Sequence, residues 1–280
     1  MSESCHDTVV SRDGVALRVR TWPVVSPRGV VVVAHGLGEH GGTYAPIAEA
    51  VGMPLGLEFV AVDFRGHGMS PGRRGVVRRY EDLVGDLAAV VEWARGRRPG
   101  LPAFVLGHSN GGQVVLRYAL ESSSSLAGVI ASNPFIRIAM PVPPAKLRLG
   151  KMLRSVAPWV TLRSDLPIDS MTRDPAMKEM YRTDSLRHNR ISPKLFFGMV
   201  EGGEMLMERA PELRHPLLMI VGGQDPVVSP LATRDFYDRV GAVDKTLLLY
   251  PKMLHEPFNE IGRLQVFQDV SRWIEPHLGG

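Results

Sequence analysis

The chain has 280 residues, of which 44% are hydrophobic and 22% charged, with a formal net charge of +4. That balance describes a soluble globular protein with a sizeable core and excludes a disordered chain, a collagen-like chain and a coiled coil. No apolar run approaches the roughly 18 residues of a membrane span, and the single cysteine, Cys5, can form neither an internal disulfide nor a multi-thiolate metal site.

Short apolar runs alternate with helical patterns along the chain. Val15–Trp22 follows the turn-like Arg12-Asp13-Gly14 and reads as a strand, one arm of a hairpin. The continuous β-branched run Gly29–Ala34 reads as a buried strand. A short helix over Tyr44–Val51 leads to a strand at Glu58–Asp63. Tyr80–Arg95 is predicted helical, because Leu83, Leu87, Val90, Val91 and Ala94 recur at three and four residues. A strand at Ala103–Leu106, a helix over Gly111–Glu121 and a strand at Ala127–Ser132 follow. The rhythm then breaks from Asn133 to about Met207, a stretch containing Pro141-Val142-Pro143-Pro144 and helical pieces but no clear strand. Beyond it come a strand at Pro216–Val221, a helix at Leu231–Val240, a strand at Lys245–Tyr250 and a closing helix at Leu264–Ile274. The alternation implies an α/β fold: a mostly parallel central sheet with helices on both faces. The expected organisation is a core over 1–133 and 208–280, with 134–207 inserted as a helical lid. The N-terminus, MSESCHDTVV, lacks a charged start followed by an apolar stretch, so a cytoplasmic location is expected.

Charge is distributed unevenly. Residues 134–207 hold 12 Lys+Arg and 7 Asp+Glu, and Pro134–Arg163 has six basic residues and no acidic one. A solvated basic face explains this, as does a surface that attracts anionic lipid at a membrane periphery. No nucleic-acid-binding motif or long basic run is present, so nucleic acid is not an expected partner.

The pattern Gly-x-Ser-x-Gly occurs twice, at Gly107-His108-Ser109-Asn110-Gly111 and at Gly68-Met69-Ser70-Pro71-Gly72. Context separates the copies. A nucleophile elbow needs a strand before the serine and a helix after it, so that the hydroxyl stands above the sheet at a helix N-terminus. Ser109 has both, whereas Ser70 has loop on either side. A serine hydroxyl needs a base, and in the order typical of this elbow an acid and then a histidine follow. His255, in the loop after the strand Lys245–Tyr250, is the candidate base; His188, His215 and His277 lie in the insertion, at a strand entry and past the last helix. Asp225, four residues beyond the strand ending at Val221, is the candidate acid that orients His255. The oxyanion donors are assigned to the backbone N–H groups of Asn110, which follows the nucleophile, and Leu37, in the His35-Gly36-Leu37-Gly38 loop. Asp63 and His67 read as structural rather than catalytic. The histidines are scattered, so neither a metal nor another cofactor is expected.

At these residues the chain resembles the monoacylglycerol lipase and lysophospholipase group of α/β-hydrolases. The matching stretches are His35-Gly36-Leu37-Gly38-Glu39-His40 with Tyr44, Asp63 to Ser70, Gly107 to Gly112, Arg173-Asp174-Pro175, Tyr181 to Asp184, Gly222-Gly223-Gln224-Asp225 and His255-Glu256. The resemblance implies an α/β-hydrolase core with a lid after the sixth strand, and release of a fatty acid from a lipid ester, either a glycerol monoester or a lysophospholipid. It also places Glu39 near the alcohol head, although a structural ion pair would serve that glutamate equally. Two positions depart from the group: Asn110 stands where methionine is usual, and Thr43 where arginine is common. Two alternatives remain open on the residues alone: an aminopeptidase using the same triad, and a ligand-binding member of the fold without turnover. Within Pro141–Trp159, Leu149, Met152, Leu153 and Val156 recur at three and four residues, with Lys146, Arg148, Lys151 and Arg154 along the flanks. Such a helix either rests on an anionic interface or packs its apolar side on the core.

Overall fold

A computed structural model describes residues 4–279. The chain opens with the antiparallel hairpin β1 (Cys5–Val10) and β2 (Ala16–Trp22), followed by β3 (Gly29–Ala34). A run of short helical turns, including α1 (Ala45–Ile47) and α2 (Met53–Leu55), leads into β4 (Leu57–Asp63). Then come α3 (Glu81–Arg97), β5 (Ala103–His108), α4 (Asn110–Glu121) and β6 (Gly128–Ser132). After the insertion the chain returns through β9 (Leu217–Gly222), α8 (Pro230–Arg239), β10 (Lys245–Tyr250) and α9 (Arg263–Ile274). The eight-stranded sheet has the order β1-β2-β4-β3-β5-β6-β9-β10; the pairings from β4 to β10 are parallel, and β1–β2 and β2–β4 antiparallel.

Every residue of β3, β4, β5, β6 and β9 is buried. That is why these strands read as unbroken apolar runs rather than alternating ones: both faces are covered. Successive side chains point to opposite faces. Val30 and Val32 enter the core formed with Leu83, Leu87 and Val90 of α3, while Val31 and Val33 enter the one formed with Ile47, Val51 and the Val266–Val270 stripe of α9.

Between β6 and β9 lie α5 (Pro144–Val156), β7 (Leu162–Arg163), α6 (Pro175–Thr183), β8 (Arg190–Ile191) and α7 (Pro193–Arg209). β7 and β8 pair over two residues only, too few to leave an alternation in the sequence. The segment lies over the carboxyl end of the sheet. The His188 N–H donates to the Gly38 carbonyl at 3.0 Å, the Ser192 N–H to the Gly75 carbonyl at 2.8 Å, and the Glu256 N–H to the Met171 carbonyl at 2.9 Å. On α5, Leu149, Met152 and Val156, with Trp159 just beyond, are between 42% and 65% exposed, so the apolar stripe faces outward. Of the flanking cations, Lys146 is held by Asp165 and the Arg163 carbonyl, and Arg154 by Glu201. Arg148 and Lys151 have no ion-pair partner among the described residues. No helix among the described residues is long and apolar enough to cross a membrane.

Candidate active site

The strand β5 ends at His108, and α4 starts at Asn110, leaving Ser109 on the turn between them with φ 54° and ψ −118°. A non-glycine residue there is strained, by an amount of about 1–3 kcal/mol, and such strain persists only where its surroundings impose it. They do so here through close packing: a Cβ on Gly107 would overlap the Gly111 carbonyl, and one on Gly111 would overlap the Ala34 carbonyl. The strand, the helix and the neighbouring β3 therefore meet only because both positions lack side chains.

Ser109, His255 and Asp225, distant in sequence, converge at the carboxyl end of the sheet. Ser109 Oγ and His255 Nε2 lie 3.0 Å apart, and His255 Nδ1 lies 2.7 Å from Asp225 Oδ2. Asp225 Oδ1 accepts the N–H groups of Val227 and Val228 at 2.8 and 3.0 Å, which fixes the carboxylate plane. With the carboxylate accepting, Nδ1 carries the proton and Nε2 faces the hydroxyl as an acceptor. All three side chains are buried. Burial works against the imidazolium, but Asp225, by charge and hydrogen bond, together with the Glu256 and Glu39 charges, lifts the His255 pKa above its ordinary value.

The other candidate serine has no free hydroxyl. Ser70 Oγ accepts the Arg18 N–H at 2.8 Å and donates to the Asp63 carbonyl at 2.5 Å. Asp63 ties two loops together, Oδ1 accepting the Gly41 N–H at 2.6 Å and Oδ2 the Met69 N–H at 2.7 Å. His35 donates from Nδ1 to the Gly36 carbonyl at 2.7 Å and accepts the Phe64 N–H at Nε2, at 3.1 Å. Burial holds it neutral, its pKa pushed down to about 4. His277 sits apart, against Asp244.

The backbone N–H groups of Leu37 and Asn110 have no acceptor among the described residues. Glu39 braces the loop that carries Leu37: its Oε2 accepts the Gly36 N–H at 3.0 Å and the Tyr44 hydroxyl at 3.2 Å.

Two residues that sequence reasoning missed hold this arrangement. Asn133, just past β6 with φ 39°, donates from Nδ2 to the Leu254 and His255 carbonyls at 3.2 and 2.8 Å, and its Oδ1 accepts the Gly222 N–H at 2.8 Å. One amide thus joins the histidine loop to the end of β9, from which Asp225 departs. The sequence offers at most a weak signal, an asparagine directly after a strand, the residue type that tolerates the left-handed backbone seen here. Arg187, from the insertion, lies 3.5 Å from Glu256 Oε1 and 3.9 Å from Glu39 Oε1, with its guanidinium 4.0 Å over the Tyr181 ring. Burial and the Glu256 charge raise the Glu39 pKa, with Arg187 opposing; burial works to raise Glu256 too, but Arg187, His108 and the hydrogen bonds from Tyr181 and Asn259 together hold that carboxyl low. No local pattern marks Arg187, because both its partners are far along the chain.

Glu39, His108 and Glu256 offer ligand atoms within 4.8 Å of one another. This is a donor set that a divalent ion could use, but Arg187 already meets the carboxylate charge, and the scattered histidines of the sequence gave no sign of it. Ser109 and Leu37 open onto a cavity of about 320 Å³ under α5, lined largely by apolar side chains including Phe135, Ile138, Leu147, Phe196, Phe197 and Met199. Asp165, the single carboxylate on its wall, is engaged by Lys146. The arrangement can activate a hydroxyl, receive an oxyanion and hold an apolar chain beside them.

Comparison with known proteins agrees. The family described as serine aminopeptidase, S33, matches residues 25–262. A monoacylglycerol lipase of Mycolicibacterium smegmatis is 34% identical over 267 residues, covering 95% of each chain. Human monoglyceride lipase is 32% identical over 275 residues, covering 95% of this chain and 89% of its own. The crystal structure of a Paleococcus ferrophilus monoacylglycerol lipase superposes with a TM-score of 0.83 at 29% identity, covering 98% of this chain and 99% of that one.

Proposed function

From a chain that belongs to the serine aminopeptidase S33 family of α/β-hydrolases, and within it to the monoacylglycerol lipase group, we propose a mechanism built on Ser109, His255 and Asp225. The protein is a serine carboxylester hydrolase acting on fatty-acyl monoesters such as monoacylglycerol or lysophospholipid. Ser109 Oγ attacks the ester carbonyl while His255 Nε2 takes its proton, and Asp225 stabilises the imidazolium. The Leu37 and Asn110 N–H groups receive the oxyanion, a contribution of about 10²–10³ in kcat for each donor. His255 then protonates the departing alcohol, and water cleaves the acyl-enzyme with His255 as base. The observation that carries this reading is the hydrogen-bonded chain Ser109–His255–Asp225 at the mouth of an apolar cavity.

An aminopeptidase would need a free carboxylate where the substrate ammonium sits. The acid on the cavity wall is already engaged, which favours an acyl chain there. Glu39, which braces the oxyanion loop through the Gly36 N–H, is in this reading the residue that accepts a hydroxyl of the alcohol. A fluorophosphonate should label Ser109, and Ser109→Ala should lose both labelling and hydrolysis; a labelled peptide containing Ser70 instead would sink the assignment.

Residues 134–207 act as a lid in this reading, and α5 is its membrane-facing part. Its outward apolar stripe and the unpaired Arg148 and Lys151 suit an anionic lipid surface. Each basic residue near such a surface contributes up to about 1 kcal/mol, screened by salt. Co-sedimentation with phosphatidylglycerol vesicles should weaken with salt and with Arg148→Ser/Lys151→Ser, while hydrolysis of a soluble short-chain ester stays unchanged. Vesicle binding that ignores both changes leaves the lid as a substrate cover only.

A further inference from the structure

On the side of α7 that faces away from the acyl cavity lies a second cleft, of about 420 Å³, between α7, the start of α3 and the end of α5. Five cations line it: Arg78, Arg79, Arg117, Arg154 and Lys194. Two carboxylates share the wall, and both are taken: Glu81 accepts from Arg117 at 2.9 Å, and Glu201 pairs with Arg154. Arg79 reaches Asp82 at 3.5 Å, and Arg117 also lies 3.7 Å from Glu121. Arg78 and Lys194 have no ion-pair partner among the described residues. Bringing these two unpaired cations beside three paired ones in one concavity costs energy unless an anion joins them, and it focuses a positive potential there.

The cleft is also built, not only charged. Its floor is Arg117, which is 6% exposed, with its guanidinium 5.0 Å over the Tyr80 ring. The Arg117 Nε–H is buried and has no acceptor, although a buried guanidinium ordinarily uses its donors. Gly198 and Gly202, one turn apart on α7, let that helix pack closely over the floor: a Cβ at Gly198 would come within 2.7 Å of Tyr80 Cβ, and one at Gly202 within 2.8 Å of Gln113 Oε1 and 3.4 Å of Arg117 Nη1. None of these residues touches the Ser109 cavity.

We infer that this cleft binds a phosphate-bearing anion, with Arg117 as a fixed floor donor and Arg78 and Lys194 closing from the rim. Phosphate suits the forked donors of arginine and tolerates several cations at once, where a single carboxylate would leave the potential largely unmet. The chemistry is shared by free phosphate esters and by phospholipid headgroups, and the test separates them.

The full-length protein would be titrated with inorganic phosphate against sodium chloride of equal ionic strength, following thermal stability and calorimetric binding, and floated with phosphatidylcholine vesicles carrying phosphatidate. Arg78→Ala/Lys194→Ala is the variant; hydrolysis of a soluble ester at the wild-type rate shows that its fold is intact. A phosphate-specific rise in melting temperature that weakens by about tenfold or more in apparent affinity in the variant supports a site for free phosphate. No response to inorganic phosphate, with phosphatidate flotation that the variant loses and Arg148→Ser/Lys151→Ser retains in part, supports a headgroup site. A wild type that responds to phosphate no more than to chloride and floats equally well with or without Arg78 and Lys194 overturns the inference.

Discussion

Replacing Arg187 by methionine keeps the side chain's length and apolar stem but removes its charge. Glu39 and Glu256 would then face each other with side chains 6% and 2% exposed and no other ion-pair partner among the described residues. Breaking a buried ion pair by deleting one partner costs about 3–5 kcal/mol. The contacts here are long, 3.5 and 3.9 Å, so the lower end, about 3 kcal/mol, is expected. At roughly 2–4 °C per kcal/mol for a chain of this size, melting should fall by roughly 6–12 °C near neutral pH. The sign of the pH dependence follows from the carboxyls. With Arg187 present, Glu256 is held below the ordinary range and contributes stability above its unfolded pKa, lost as pH falls. Without Arg187, both folded-state values move up, and ionising either carboxyl destabilises the protein. The gap between wild type and variant should therefore widen towards pH 8 and close only as pH falls through about 2, where Glu256 takes up its proton in the folded wild type. Circular-dichroism melts of wild type, Arg187→Met, Glu39→Gln and the double variant would measure it, with the double variant more stable than Arg187→Met above pH 7. A gap independent of pH, or a double variant no better than Arg187→Met, refutes the charge-compensation argument.

Asn133→Ala should lower stability by about 1–3 kcal/mol by leaving buried carbonyl and N–H groups unpaired. It should also reduce kcat by roughly tenfold to 10²-fold with little change in KM, because the histidine and acid loops lose their common tie; steady-state kinetics on a soluble ester would check the split. Gly111→Ala should cost about 1–3 kcal/mol or more through overlap with the Ala34 carbonyl, seen as an earlier urea midpoint. The pH profile of kcat/KM should rise with pH along a limb centred above about 6.5, since neutral His255 is the base and its pKa is raised. Glu256→Gln removes one of the charges that favour the imidazolium, so the limb should move to lower pH; a shift upward would contradict the electrostatics described above.

Much of this protein could be read from local chemistry. Unbroken apolar runs such as Gly29–Ala34 announce strands covered on both faces, and three-and-four spacing in Tyr80–Arg95 announces a helix, because each pattern reports the period of its own backbone. The elbow was legible for the same reason: strand, glycine-flanked serine and helix are contiguous, and that context set Ser109 apart from Ser70 before any fold was known. His255 and Asp225 followed from chain order and from their places after strands. The sequence alone left open whether the apolar stripe of α5 faces the core or the solvent, since helical periodicity defines a face but not what covers it; only packing turned Leu149, Met152 and Val156 outward. Asn133 and Arg187 were invisible in the same way. Each acts on groups brought near by the topology of the sheet and by the segment crossing its end, and the need of a carboxylate such as Glu39 or Glu256 for a cation has no local signature until burial removes its water. Periodicity and turn chemistry travel with the sequence, whereas charge compensation and close approach between distant segments exist only once the chain has folded.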